Sequence, residues 1–152
     1  KGRFSPDFPF STKVYFGPYA ERNDEQGRVR HEELGIARDD AQGRMAMAMQ
    51  NYHFFNAPHI ALLFMPSFDD GVRVAGDVGM YGQTLLLALA ARGLGGVPQT
   101  SVGLLAGTVR EVLGVPDDLK LLFAISFGYS DPSVAKIKLG RAPIDASVTF
   151  HD

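Results

Sequence analysis

The most informative segment of the chain is DVGMYGQTLLLALAARGLGGVPQTS, residues 77–101. Its first part predicts a helix, because residues 85–91 (LLLALAA) are strong helix formers and none of them is β-branched. Arg92 and Gly93 suit the end of that helix. Apolar residues run nearly all round it, yet the run is too short to cross a membrane. We therefore expect a helix that is covered on several sides, by its own domain or by a second subunit.

The segment after this helix, GLGGVPQTS at 93–101, is interpreted as a short glycine-bearing turn. Ser101 is a suitable N-cap for a following helix over 101–113, which Gly114 would end. Glycines also let a backbone approach a flat ligand closely. The amides of Thr100 and Ser101 would have no intrahelical acceptor and could bind a carbonyl or a ring nitrogen. A plain tight turn and a ligand-binding turn both fit the pattern.

The remaining segments predict an α+β protein in which helices surround a small sheet, with 1–152 as a single domain. Residues 20–35 suit an exposed helix, and 38–55 suit a helix whose methionine-rich second half is buried. HIALLFM (59–65) and LKLLFAISFGY (119–129) are apolar runs typical of buried strands. The proline-rich residues 1–19 predict an irregular arm whose aromatic side chains lie on an apolar surface. SVTFHD (147–152) suggests a short edge strand.

Composition and charge exclude several classes of protein. The formal net charge of −2 and the scattered basic residues give no support to a nucleic-acid surface. The absence of cysteine excludes disulfides and thiolate metal sites, and it fits a cytoplasmic location. The sequence contains neither a signal peptide nor a membrane-spanning run. The hydrophobic content of 45% is that of an ordinary globular protein, so we expect no membrane partner.

No catalytic constellation stands out, so we predict no catalytic side chain and no metal site. The four histidines lack the spacing of a metal site, and no P-loop or serine-nucleophile motif is present. The GLGG at 93–96 follows a helix, whereas a dinucleotide-binding fingerprint follows a strand. Lys136, Lys138 and Arg141 form a basic cluster that suits either a phosphate or plain solvent exposure.

Four stretches together resemble the flavin-dependent nitroreductase family, over roughly residues 34–150. They are GIARDD (35–40), NYHFFNAPHIALLFM (51–65), DVGMYGQTLLLALAARGLGGVPQ (77–99) and LGRAPIDASVTF (139–150). Their order and spacing make the resemblance far more specific than any single motif. It implies a central sheet with antiparallel strands, flanked by helices, in an intertwined homodimer that is held together at the helix before GLGG.

The resemblance also implies an enzyme that binds FMN and passes electrons from NADH or NADPH to nitroaromatics or quinone-like acceptors by a ping-pong cycle. Pro98 and Gln99 would lie along the isoalloxazine ring, and the amides of Thr100 and Ser101 would face its N5/O4 edge. Arg141 would bind the FMN phosphate, with Lys138 as a weaker match. A flavin carries out its own hydride chemistry, which agrees with the lack of a catalytic side chain.

One departure from the family pattern leaves alternatives open. An arginine-rich amino-terminal segment that grips the phosphate, and an Asn-x-Gln-Pro-Trp-like stretch beside the ring, are both missing from these residues. The chain therefore resembles the carboxy-terminal two-thirds of a family member. The alternatives are a non-catalytic flavin-binding or remnant domain, and a family relative that carries out enone reduction or dehalogenation.

Overall fold

The computed structural model describes residues 4–11, 14–134, 137 and 139–151. Two compact units are present. The first contains residues 4–11 and 45–131, and the second contains 14–44 and the described part of 132–151. The prediction of a single domain over 1–152 stays a prediction.

The first unit is built on a three-stranded antiparallel sheet. Its strands are β1 (His59–Pro66), β2 (Gly95–Gln99) and β3 (Leu119–Gly128), in the spatial order β1-β3-β2. The apolar runs that predicted β1 and β3 do form the two paired strands, so these predictions are confirmed. A one-residue bulge lies in β3 at Leu122, between the pairs Leu63–Phe123 and Phe64–Leu121.

Helix α3 (Val72–Ala90) covers one face of this sheet. Leu89 of α3 packs with Leu63 and Ile125 of the sheet in a buried apolar cluster. The helix ends in a Schellman motif, in which the Gly93 amide donates to Ala90 O (3.0 Å) and the Leu94 amide donates to Leu89 O (3.0 Å). Gly93 has φ +73°, the left-handed conformation that the predicted helix end requires.

The opposite face of the sheet is covered by a 3₁₀ helix, Ser101–Leu105, and by α4 (Ala106–Leu113). Val102 and Ala106 pack there against Leu121 and Ala124 of β3. Each strand face is therefore apolar, which explains why β1 and β3 are continuous apolar runs rather than alternating ones. The α+β class with an antiparallel sheet and flanking helices is confirmed.

Strand β2 was not predicted, and the interpretation of GLGGVPQTS as a simple turn is wrong. Gly95 and Pro98 disfavour a strand in local terms. The segment pairs with β3 alone and lies at the edge of the sheet, where a residue without an N–H is tolerated. A Cβ atom on Gly96 would lie 2.7 Å from Leu86 Cδ2, so this glycine allows β2 to approach α3 closely.

The second unit contains α1 (Pro18–Glu33), an exposed helix as predicted. Arg28 forms ion pairs with Glu25 and Glu32 on its surface (2.6 Å each). The hydrogen bond from Arg28 lowers the pKa of Glu25. The boundary between the two units falls inside α2 (Ala41–Met49).

The helix predicted over 38–55 is shorter than expected, and its second half is not buried. Helix α2 ends at Met49, and both Met45 and Met49 are exposed. Phe54, Phe55 and Asn56 all have positive φ, between 52° and 57°, so a right-handed helix cannot continue through them. Hydrophobicity alone made the predicted helix too long, because it does not report backbone conformation.

The amino-terminal arm is held by polar contacts rather than by its aromatic residues. The Ser5 amide donates to Leu104 O (3.0 Å), and the Leu121 amide donates to Asp7 Oδ2 (2.8 Å). Phe4 and Phe10 are exposed, so the predicted apolar packing of these aromatic side chains is not found within the single chain.

The edge strand predicted over 147–152 is absent from the described residues 147–151. A short 3₁₀ helix, Ile144–Ala146, is followed by irregular backbone there. β-branched and aromatic residues favour a strand only where a partner strand is available, and no strand of the described chain pairs with this segment.

Candidate functional site

Four of the predicted site residues lie at the end of β2 and directly after it: Pro98, Gln99, Thr100 and Ser101. We call them the strand-end segment. Pro98 and Thr100 are exposed, and Ser101 is half-buried. Pro98 lies on the edge strand, and because it is exposed its apolar ring is available to a flat ligand. The segment therefore combines an apolar surface with the start of a helix.

Two backbone amides of the strand-end segment have no acceptor among the residues that the structure describes. Within the described part of the chain, neither the Thr100 N–H nor the Ser101 N–H donates a hydrogen bond, whereas the Gly103 amide donates to Thr100 O (2.9 Å). Donors of this kind at a helix start bind anionic or carbonyl groups well. The prediction that Ser101 is the N-cap is wrong, because Thr100 occupies that position and makes no side-chain capping bond.

Gln99 differs from its neighbours because its side chain points into the protein. The residue is only 2% exposed. Its Nε2 donates to the main-chain oxygen of Asn51 (2.9 Å), and its Oε1 accepts a hydrogen bond from Ser126 Oγ. The carboxamide is thus used inside the protein, and Gln99 has almost no surface left for a ligand in the single chain.

Arg141 lies in the second unit, in a groove of about 520 Å³ beside α1. Arg22, Asn23 and Gln26 of α1 line the same groove. Within the described residues the Arg141 guanidinium forms no ion pair, and its hydrogen bond is to the adjacent Gly140 carbonyl at 3.4 Å. An exposed guanidinium without an ion-pair partner suits a phosphate.

The other basic residues of the predicted cluster, Lys136 and Lys138, lie outside the described residues. No three His, Asp or Glu side chains converge to a metal-binding arrangement in the part of the chain that is described. None of the described helices is both long and apolar enough to cross a lipid bilayer.

Sequence reasoning missed Ser126 and Asn51, the two partners of Gln99. Ser126 is 1% exposed and is the one polar side chain within the apolar run LLFAISF of β3. A serine in such a run requires a buried partner, so the sequence did carry a signal for a polar contact there. The sequence carried no signal for the identity of that partner, because Gln99 lies 27 positions away from Ser126.

Helix α3 presents an apolar face that nothing in the described chain covers. Exposed residues recur at helical spacing along it, and we call this set the open face of α3: Gly76, Met80, Gln83, Leu87 and Ala90. Leu87 is 62% exposed, although Leu86 and Leu89 of the same helix pack in the buried apolar cluster of the first unit. The expected all-round burial of the helix is therefore not reached within one chain.

A model of the Nitroreductase family matches residues 12–129. This chain belongs to the nitroreductase family. The match includes the strand-end segment and α3, the parts whose geometry is described above.

Among curated nitroreductases, the chain is 38% identical over 150 residues to nitroreductase NfnB of Mycolicibacterium smegmatis, covering 97% of this chain and 63% of the relative. It is 33% identical over 136 residues to 4-nitrobenzoate reductase of a Nocardioides species, covering 88% of this chain and 55% of the relative. The chain thus spans less than two thirds of the length of these curated relatives.

The fold also matches solved nitroreductase structures. The crystal structure of FMN-dependent nitroreductase NfnB from Mycobacterium smegmatis in complex with NADPH superposes with a TM-score of 0.91 and 36% sequence identity. The superposition covers 98% of this chain and 67% of that structure.

Proposed function

We propose that this protein is a flavin-dependent oxidoreductase that binds FMN and reduces nitroaromatic or quinone-like acceptors with NADH or NADPH, by a ping-pong cycle. The observation that carries the proposal is the pair of unpartnered amides at Thr100 and Ser101, in a chain of the nitroreductase family. The relatives' names support the substrate class, since two of them are a nitroreductase and a 4-nitrobenzoate reductase.

The residues of the strand-end segment fit the flat ring of a flavin. The exposed Pro98 offers an apolar contact, and the free amides of Thr100 and Ser101 offer two donors. When bound, FMN supplies the hydride chemistry, and no catalytic side chain is needed. The two donors would stabilise negative charge on the ring edge, because fixed main-chain dipoles need no reorganisation during the reaction.

The Arg141 groove, all of whose lining residues belong to the second unit, supports phosphate binding. The guanidinium is exposed and has no carboxylate partner among the described residues, so a phosphate would not compete with an internal ion pair. Lys138 stays a proposed second cation. Pro98 is proposed to lie along the ring, whereas Gln99, only 2% exposed in the single chain, has almost no surface to offer it.

A homodimer is part of the proposal. The open face of α3 is apolar at Met80, Leu87 and Ala90, and these side chains are exposed in the single chain. A two-fold interface would place this face against its own copy and remove the exposed apolar surface from water. A cytoplasmic location also stays a proposal.

The visible absorption spectrum of the purified protein is the first test. We expect a yellow protein that releases a compound with the mass of FMN, and that oxidises NADPH when 4-nitrobenzoate or nitrobenzene is added. Omission of the nitroarene is the control, because NADPH oxidation without it reports only reaction with oxygen. A colourless protein that does not bind added FMN would overturn the proposal. Flavin binding without oxidation of NADH or NADPH would instead support a non-catalytic flavin-binding domain.

A further inference from the structure

We infer that Gln99 is a positioning residue, whose buried carboxamide fixes the orientation of the two amides that follow it. The inference rests on the proposed function for its link to the flavin, and it goes beyond it by adding Gln99, Ser126 and the main chain of Asn51 as the support of the strand-end segment. The side chain of Gln99 then acts without touching the cofactor.

The geometry isolates this carboxamide from solvent. Gln99 is 2% exposed and Ser126 is 1% exposed. The Gln99 Nε2 has two hydrogens and two acceptors on Asn51, the main-chain oxygen at 2.9 Å and Oδ1 at 3.4 Å. The Oε1 atom accepts from the Ser126 hydroxyl. Both ends of the amide are therefore satisfied by protein groups, and neither requires water or a ligand.

The register of the sheet explains why Gln99 reaches Ser126. Gln99 is paired with Ala124, and Ser126 is paired with Val97, so the two side chains lie diagonally on the same face of the sheet. Asn51 follows α2 and lies in the same unit. The Gln99 side chain thus hydrogen-bonds the end of the edge strand β2 to the central strand β3 and to the segment that follows α2.

These hydrogen bonds restrict the orientation of the Thr100 and Ser101 amides because Gln99 directly precedes Thr100 in the chain. The Thr100 N–H belongs to the peptide plane that also contains the Gln99 carbonyl, so the orientation of that plane follows from the backbone of Gln99. Ladder pairing ends at Gln99, and the 3₁₀ helix begins at Ser101. On the strand side of this turn, the buried carboxamide restricts the backbone, and on the helix side the Gly103 amide donates to Thr100 O (2.9 Å).

The test uses Gln99→Met, which keeps the length of the side chain and removes all of its hydrogen bonds. In the FMN-free protein, we expect the NMR order parameters of the Thr100 and Ser101 amides to fall from about 0.85 to below about 0.6. In the flavin-loaded protein, we expect the preference for the reduced over the oxidised cofactor to weaken about tenfold, or about 30 mV for a two-electron couple. A residue with a merely structural role would lower the melting temperature and change neither value.

Gln50→Met is the matched control, because it makes the same change at an exposed glutamine that has no place in this arrangement. We expect it to resemble the parent in both measurements. If Gln99→Met does not fold, Ser126→Ala removes the hydroxyl that donates to Gln99 Oε1. This variant should shift the amide order parameters and the flavin potential in the same direction as Gln99→Met. Unchanged amide order and an unchanged potential in the folded variant would overturn the inference. A parent protein that binds no flavin would overturn the proposed function instead, while the amide order would still test the role of Gln99.

Discussion

Asp7 and Arg110 form a buried ion pair although they lie 103 positions apart in the chain. The Asp7 side chain is 4% exposed and that of Arg110 is 13% exposed. The same Asp7 Oδ2 accepts the Leu121 amide at 2.8 Å, so one carboxylate joins the arm, α4 and β3. The hydrogen bond to Asp7 raises the pKa of Arg110.

Asp7→Ala should therefore destabilise the protein. Among the described residues, the change leaves the Arg110 charge paired only with the fully exposed Asp117, and it removes the acceptor of the Leu121 amide. Loss of one partner from a buried pair costs about 3–5 kcal/mol of unfolding free energy. Urea unfolding followed by circular dichroism measures this change.

Asp117→Ala is the control for that experiment. Asp117 contacts the same guanidinium at 3.5 Å, but its side chain is fully exposed. An exposed pair contributes at most about 1 kcal/mol. Equal effects of the two substitutions would contradict the importance of burial at Asp7.

Leu87→Asp should separate association from folding. Leu87 is exposed on the open face of α3, so a carboxylate there stays solvated in the single chain and leaves its helix intact. In a dimer through this face it would be buried without a partner, which we expect to weaken association strongly. Sedimentation equilibrium gives the oligomeric state, and circular dichroism gives the helix content.

Leu89→Asp provides the comparison, because Leu89 packs in the core with Leu63 and Ile125. That substitution should unfold the first unit rather than dissociate a dimer. A folded Leu87→Asp variant that remains dimeric would show that the subunits do not meet at this face.

Arg141→Ala should weaken FMN binding without loss of fold. The guanidinium makes no ion pair within the described chain, so its removal breaks no internal charge pair. A charge-assisted hydrogen bond contributes about 1.5–3 kcal/mol, which corresponds to a roughly 10- to 150-fold rise in Kd. Quenching of flavin fluorescence measures the affinity. Arg30→Ala, an exposed cation of α1 that does not line the groove, should leave the Kd unchanged.

Two glycine substitutions should change stability in opposite directions. Gly27 lies inside α1, and a Cβ atom added there would meet no other atom within 4 Å, so Gly27→Ala should stabilise the helix by about 0.5–1 kcal/mol. Gly93 has φ +73°, so Gly93→Ala should cost about 1–2 kcal/mol. Thermal unfolding of the two variants shows whether each change raises or lowers the stability of the protein. A stabilising effect of Gly93→Ala would contradict the backbone conformation at the end of α3.

Local patterns were sufficient for most of the fold. Continuous apolar runs predicted β1 and β3, and the helix formers of residues 85–91 together with Gly93 predicted α3 and its end. Each of these elements depends on residues that lie close to one another in the sequence. The pattern failed at β2, where Gly95 and Pro98 oppose a strand and only the pairing with β3 favours one.

The site residues stay predictions. Pro98, Thr100 and Ser101 were singled out, and the free amides at Thr100 and Ser101 agree with the proposed donors. The inward direction of Gln99 was not foreseen, because its partner Asn51 lies 48 positions away.

The chain sequence alone was enough for the α+β class, the two buried strands and the position of α3, since hydrophobic runs and helix-ending residues act over short distances. Tertiary structure was needed for the edge strand β2, for the Asp7–Arg110 pair and for the buried amide of Gln99. Each of these depends on contacts between residues far apart in the chain, and a hydrogen bond or ion pair gains its strength only after folding has removed both partners from water.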